Sequence, residues 1–274
     1  MAPIGARLCA IASGCFWKVR WETIKVETLV IKLPKVSVII PAYNEERFIG
    51  RTLLSILESG FPCELIVVDD GSTDRTPQIL ESFGSRIRVI RHPINRGKGA
   101  AMASGIRAAT GEIVVFCDAH LLGLKSYHLL SLVLPLVQGS AKVVLGTGIS
   151  GSPAFPHIVM PVLTGQRAYF RRDLEPLLNE MEGLGYGVEL FLFHRFPQEQ
   201  TAIVVLPGLV HLPKQLVSPP RAVAKGYLRE SVEIFKTLTY LGGISPARLS
   251  QWKRRFIKKR AFIQAPPEKQ EFKQ

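Results

Sequence analysis

The feature that most constrains this chain is a recurring unit: a brief apolar run, a polar loop, then an amphipathic segment. Val36 to Ile40 is short, rich in β-branched residues and closed by Pro41, which marks a buried strand and not a helix. From Glu45 onward Phe48, Ile49, Thr52, Leu53, Ile56 and Leu57 recur at three- and four-residue steps, so they share one face of a helix ending near Gly60. The unit repeats, with Leu65 to Val68 as a second strand and a helix over Thr76 to Phe83 that Pro77 can start in its first turn. Ile87 to Ile90 gives a third strand, about Gly99 to Ala109 a small-residue helix, and Ile113 to Cys117 and Lys142 to Leu145 a fourth and a fifth strand. Strands alternating with helices require crossovers, so the expected fold class is α/β: a single-domain, mostly parallel sheet with helices on both faces.

Past Gly165 the pattern loosens into a helix near Asp173 to Asn179, an apolar segment Val188 to Phe193 and a short strand Ala202 to Leu206. The organisation expected is an N-terminal extension over 1–34, the α/β domain over 35–218, and a basic helical segment with a polar tail over 219–274. Within that last segment Trp252 and Phe256 lie four apart among Lys253, Arg254, Arg255, Lys258, Lys259 and Arg260, an amphipathic arrangement suited to an anionic bilayer or to packing on the domain.

Composition narrows the partners. With 47% hydrophobic residues in 274, the chain can bury most of its surface, and 35 Lys and Arg against 22 Asp and Glu give +13, which favours anionic ligands. Cys9, Cys15, Cys63 and Cys117 lack Cys-x-x-Cys spacing and the density of a disulfide scaffold, so a reducing, cytoplasmic setting is expected. No apolar stretch of about 18 residues occurs, so membrane contact would be peripheral, at the inner face. The segment Leu8 to Ala12 before Cys15 is too short for a signal peptide, and Gly14-Cys15-Phe16-Trp17 matches a sulfoxide-reductase tetrapeptide without any continuation.

In open α/β sheets ligands bind beyond the carboxyl ends of the strands, and the informative residues lie there. Strand one is followed by Pro41-Ala42-Tyr43-Asn44-Glu45-Glu46, strand two by Asp69-Asp70-Gly71-Ser72-Thr73-Asp74, and strand four by Asp118-Ala119-His120, with Asn95-Arg96-Gly97-Lys98-Gly99-Ala100 between. In this order the four segments, over about Lys35 to Gly123, resemble the family 2 glycosyltransferases of the GT-A fold, including polyprenyl-phosphate sugar transferases and glucosyl-phosphoglycerate synthases. The resemblance implies a nucleotide-sugar site in which Pro41, Tyr43, Glu45, Asp69 and Asp70 contact base and ribose. Carboxylates accept bonds from ribose hydroxyls and an aromatic ring packs on a base. Read as structure alone, Glu45 begins a helix and Asp70-Gly71-Ser72 makes a turn.

Gly97, Gly99 and Gly105 permit close backbone approach at a helix start, where an anion is favoured, and Arg96 and Lys98 add positive charge. Asp118-Ala119-His120 stands where the family carries Asp-x-Asp, so the resemblance implies a divalent metal on Asp118 and His120, with Ala119 at the donor. Residues i and i+2 of an extended strand point the same way, and imidazole in place of a hard carboxylate favours manganese over magnesium. His211, after the last strand in Leu206-Pro207-Gly208-Leu209-Val210-His211, is a candidate third ligand, against the usual structural role of a lone histidine. Gly146-Thr147-Gly148-Ile149-Ser150-Gly151 mimics a dinucleotide-binding loop, but Pro153 and Pro156 block the helix that loop would open.

Thr164-Gly165-Gln166-Arg167-Ala168 and Gly185-Tyr186-Gly187-Val188-Glu189 resemble the family's acceptor-side motifs, which makes Gln166, Arg167 and Glu189 acceptor-side candidates. Glu189 is then a general base or a partner that orients Arg167. The expected chemistry is transfer of a glycosyl group, with the metal and Lys98 stabilising the diphosphate leaving group, and with Asp118, Glu189 and Lys98 as the catalytic set. Family 2 resemblance implies inversion, whereas the similar phosphoglycerate-glucosylating enzymes retain configuration, so the stereochemistry stays open. The acceptor is polyprenyl phosphate or a small phosphorylated or hydroxylated metabolite, and a homodimer is the candidate assembly. Two competing classes are a catalytically inactive nucleotide-sugar binder and a basic nucleic-acid-binding protein. The second lacks helix-turn-helix spacing and interleaved aromatic and basic strand motifs, so no nucleic-acid partner is expected.

Overall fold

A computed structural model describes residues 33–148, 163–211 and 231–242. Residues 1–32 of the N-terminal extension, residues 149–151 of the Gly146–Gly151 loop and the Trp252–Arg260 segment lie outside the described residues. Seven strands form one sheet: β1 Val36–Ala42, β2 Glu64–Asp69, β3 Arg88–Arg91, β4 Ile113–Phe116, β6 Val143–Gly148, β7 Arg167–Phe170 and β8 Thr201–Leu206. Their order is β3-β2-β1-β4-β7-β6-β8, and β5 Leu121–Leu122 pairs with β9 Val210–His211 in a separate ribbon. The pairs β1–β2, β1–β4, β2–β3 and β6–β8 are parallel, while β7 runs antiparallel to both its neighbours. The mostly parallel sheet expected from the sequence is therefore observed.

Continuous apolar runs make sense in strands covered on both sides. Val36, Val38 and Ile40 with Leu65, Val67, Ile113 and Val115 pack beneath α1 Ile49–Glu58, α2 Thr76–Glu81 and α4 Ser126–Val137. The alternate residues Ile39, Ile66, Val68, Val114 and Phe116 pack under α3 Lys98–Ala108, α6 Leu178–Glu182 and α7 Val188–Arg195. Each fully buried Ile or Val contributes about 1.5–3 kcal/mol of transfer free energy.

The small residues of α3 have a packing cause. A Cβ at Gly105 would stand 2.4 Å from Ile39 Cγ2 and one at Gly99 would stand 2.0 Å from the Met181 carbonyl oxygen. These two glycines let α3 sit on β1 and α6, so the expectation that they admit an anion at the helix start is corrected.

One local reading also changes. The helix expected near Asp173 to Asn179 is split into α5 Arg171–Leu174, a 3-10 turn Glu175–Leu177 and α6, because Pro176 cannot continue the α-helical hydrogen bonds. Val188 to Phe193 is helical and buried through Leu192, and α4 forms despite Pro135. A further helix, α8, covers 231–240. Among the described residues no helix is long and apolar enough to cross a membrane.

The chain leaves β1 for β2 on one side and reaches β4 on the other. The crevice where these connections diverge, at the carboxyl ends of β1 and β4, is where such sheets bind ligands.

Candidate active site

Two loops, after β1 and β2, are laced together at the rim of that crevice. The Asn44 N–H donates to Ser72 Oγ at 3.0 Å, the Glu45 N–H to Thr76 Oγ1 at 2.8 Å, and the Thr73 N–H to Asn44 Oδ1 at 2.8 Å. Asn44 takes a left-handed φ of 55°, which its short polar side chain tolerates. The Glu45 carbonyl accepts the Phe48 and Ile49 N–H groups, so Glu45 starts the turn that leads into α1 and not the helix itself, while its carboxylate faces His120 Nδ1 at 3.4 Å. Thr52, buried on α1, fixes the segment after β4: its hydroxyl donates to the Ala119 carbonyl at 2.8 Å and accepts the Leu121 N–H at 3.2 Å.

The resulting cleft is lined by Pro41, Tyr43, Glu45, Asp70, Lys98, Asp118, Ala119 and His120, all expected, and by Asn95, Tyr186 and Glu233 as well. At its base Lys98 Nζ donates to Asp118 Oδ1 at 2.8 Å and to Glu189 Oε1 at 2.6 Å. Burial alone would push the Lys98 ammonium toward neutrality, but the charges of Asp118 and Glu189 outweigh it and hold its pKa raised. Asp118 is further held by Gln166 Nε2 at 3.1 Å. His120 is also pushed up: burial opposes its charge, but the bond to Glu45 and the charges of Asp118 and Glu45 prevail.

Other expected residues sit elsewhere. Asp69, fully buried, accepts the Ser72 N–H at 2.9 Å, and its second oxygen stands 3.5 Å from Arg91 Nε, so it builds the turn after β2 and does not line the cleft. The Arg96 guanidinium donates to Glu182 at 2.9 Å on α6. Arg167 is completely buried, with Nε donating to the Thr164 carbonyl at 2.6 Å and Nη1 to the Glu189 carbonyl at 2.8 Å. It braces the acceptor-side motifs from behind and cannot touch an acceptor from there.

Glu233 on α8 was not foreseen. Its Oε2 accepts the Tyr186 N–H at 2.7 Å, joining α8 to the Gly185–Gly187 turn.

The cleft presents the carboxylates Glu45, Asp70, Asp118 and Glu233 against one lysine and one histidine. Asp118 and His120 bring an oxygen and a nitrogen donor to the same cleft, a donor pair suited to a divalent cation. Tyr127 Oη and His128 Nε2 donate to the Pro207 carbonyl at 3.1 and 2.8 Å, tethering the turn that leads into β9. The β5–β9 pair then sets the His211 backbone opposite Leu121, next to His120, and the His211 side chain lies outside the described residues. Among the described residues no three metal-binding side chains converge.

Comparison with known proteins bears on this geometry. The sequence profile described as Glycosyl transferase family 2 matches residues 37–174. A glucosyl-3-phosphoglycerate synthase of Mycolicibacterium paratuberculosis is 32% identical over 192 residues, 57% of this chain and 58% of that one. An undecaprenyl-phosphate 4-deoxy-4-formamido-L-arabinose transferase of Pectobacterium carotovorum is 38% identical over 101 residues, 34% of this chain and 31% of the other. The crystal structure of glucosyl-3-phosphoglycerate synthase from Mycobacterium tuberculosis with Mn2+, UDP-glucose and phosphoglyceric acid superposes with a TM-score of 0.59 at 27% identity, covering 78% of this chain and 81% of that one. The chain spans 23% to 58% of the length of these and similar curated relatives.

Proposed function

The chain belongs to glycosyl transferase family 2, with the GT-A fold, and from that premise we propose that it transfers a sugar from a nucleoside diphosphate sugar to a phosphate-bearing acceptor. The observation that carries this reading is the Lys98 bridge between Asp118 and Glu189 at the end of β4, beneath the cleft. Lys98 is a fixed positive charge beside the position of a leaving diphosphate, and it needs no reorganisation as negative charge develops there. Pro41, Tyr43, Glu45 and Asp70 form the nucleoside end. Glu189 takes the proton of a hydroxyl acceptor, whereas an acceptor phosphate is already ionised and needs no base.

Asp118 and His120 would hold a divalent metal, with His211 as a candidate third ligand, and that ion would supply Lewis-acid neutralisation of the diphosphate. The imidazole supports manganese over magnesium. Among acceptors, a small phosphorylated hydroxy acid is favoured over polyprenyl phosphate, because likeness to the phosphoglycerate enzyme runs through 192 residues and likeness to the polyprenyl enzyme through 101. Peripheral membrane contact belongs to the polyprenyl alternative.

The test is sugar transfer from UDP-glucose with Mn2+ or Mg2+, offering 3-phosphoglycerate and undecaprenyl phosphate in parallel. Phosphoglycerate-dependent release of UDP, faster with Mn2+, is expected, and the anomeric configuration of the product reads inversion or retention. Failure of UDP, UDP-glucose, and the guanosine and cytidine analogues to bind in calorimetry would overturn the reading.

A further inference from the structure

Behind the nucleoside end of the cleft lies a buried polar chain. His92, 6% exposed, contacts Asp70 Oδ1 through Nδ1 at 2.7 Å and Ser104 Oγ through Nε2 at 2.9 Å. Asp70 Oδ1 also accepts the Arg96 N–H at 3.0 Å, and Oδ2 accepts the Gly97 N–H at 2.7 Å. A carboxylate only accepts, so Nδ1 carries an imidazole hydrogen, and the Ser104 hydroxyl meets the ring at Nε2. The backbone completes the frame: the Asp70 N–H donates to the Ala42 carbonyl and the His92 N–H to the Asp69 carbonyl, each at 2.8 Å. The ends of β1, β2 and β3 and the middle of α3 are thus joined through Asp70, β1 by its backbone N–H and the rest by its carboxylate and His92.

A carboxylate offers about four acceptor positions. Two on Oδ1 and one on Oδ2 are used inside the protein, which leaves one on Oδ2 at the cleft that Asp70 lines. We propose that His92, oriented by Ser104, is a positioning residue that aims this last acceptor of Asp70 at the nucleotide and holds the 94–97 loop in binding geometry. This rests on the nucleotide-sugar reading for its ligand, but its mechanical part, the hold on the Arg96 and Gly97 amides, does not.

Asparagine at 92 can place an amide N–H near the position of Nδ1, whereas glutamine matches Nε2 better. The test uses the full chain with UDP and Mn2+ as the probe, comparing H92N, H92Q, H92A and S104A by calorimetry, with amide hydrogen exchange over 93–99 followed in parallel. Loss of one charge-assisted bond in a buried site corresponds to about tenfold in affinity. UDP binding about tenfold weaker is expected for H92A and H92Q, within about threefold of the parent for H92N, and between these for S104A. Exchange at Arg96 and Gly97 should quicken in H92A and stay slow in H92N. Unchanged binding in H92A, or rescue by H92Q equal to that by H92N, overturns the aiming role. If the parent chain binds no UDP, the uridine donor is wrong, and unchanged exchange in H92A would separately overturn the hold on the loop.

Discussion

The backbone of Gly165 lies against the carboxylate of Asp118 so closely that a Cβ on residue 165 would stand 2.1 Å from both carboxylate oxygens. The side chain proposed to carry the metal is therefore shaped by a residue 47 positions away, on the loop that also delivers Gln166 to Asp118. Gly165→Ala must turn Asp118 out of its bond to Lys98 or push the 164–166 backbone aside. Mn2+-dependent UDP binding is expected to weaken at least tenfold, with stability falling by roughly 1–3 kcal/mol. Parallel calorimetry and thermal unfolding check this. A variant that binds as the parent does would show that Asp118 does not need this position.

This relationship illustrates what was legible in the chain and what was not. The first four strands could be read because each is a short, mostly apolar run bounded by a polar turn, as at Asp69-Asp70-Gly71, although β1 does not stop at Pro41 as expected but runs on to pair Ala42 with Asp69. The expected residues that line the cleft follow those strands, apart from Lys98, which opens α3. Asp69 and Asp70 look equivalent in the sequence, yet one folds into its own turn and the other faces the cleft, because neighbours on extended backbone point to opposite sides. Thr52, His92, Gly165 and Glu233 act through partners 12 to 69 residues away, and no local spacing encodes such pairings. Resemblance to an acceptor-side motif makes Arg167 an acceptor-side candidate in the sequence; its burial, made tolerable by the Thr164 and Glu189 carbonyls, is visible only in the fold.

Lys98 joins two carboxylates that are themselves 9% and 12% exposed. Lys98→Met keeps most of the packing volume and removes the shared cation, so Asp118 and Glu189 face one another uncompensated. Breaking such a buried pair costs about 3–5 kcal/mol unless one carboxylate takes up a proton. For the reaction, loss of a fixed charge at the leaving group should lower kcat about 100-fold to 1,000-fold. Steady-state kinetics at saturating UDP-glucose, together with proton uptake on folding, would check both. A change confined to KM would reduce Lys98 to a ground-state contact.

The clearest pH dependence is expected at the opposite end of the sheet, where β1 and β2 begin. Glu64 Oε2 accepts the Ser37 hydroxyl at 2.6 Å, the Thr110 N–H at 2.9 Å and the Thr110 hydroxyl at 2.8 Å. Partial burial works against the Glu64 charge, but these bonds and the Lys35 charge outweigh it and hold the carboxyl below its ordinary range. A folded pKa below the unfolded one means that the unfolded chain binds the proton more readily. The stabilisation is therefore complete above the unfolded value of about 4.3 and disappears as pH falls through the folded value. Glu64→Gln should cost roughly 1 kcal/mol near neutrality, since solvent reaches the group and discounts its bonds. Urea unfolding of parent and variant between about pH 7 and pH 3 should show the two curves converging on the acid side, starting near pH 5. A gap independent of pH would mean that the glutamine amide disturbs packing between Ser37 and Thr110, and that the Glu64 charge contributes nothing.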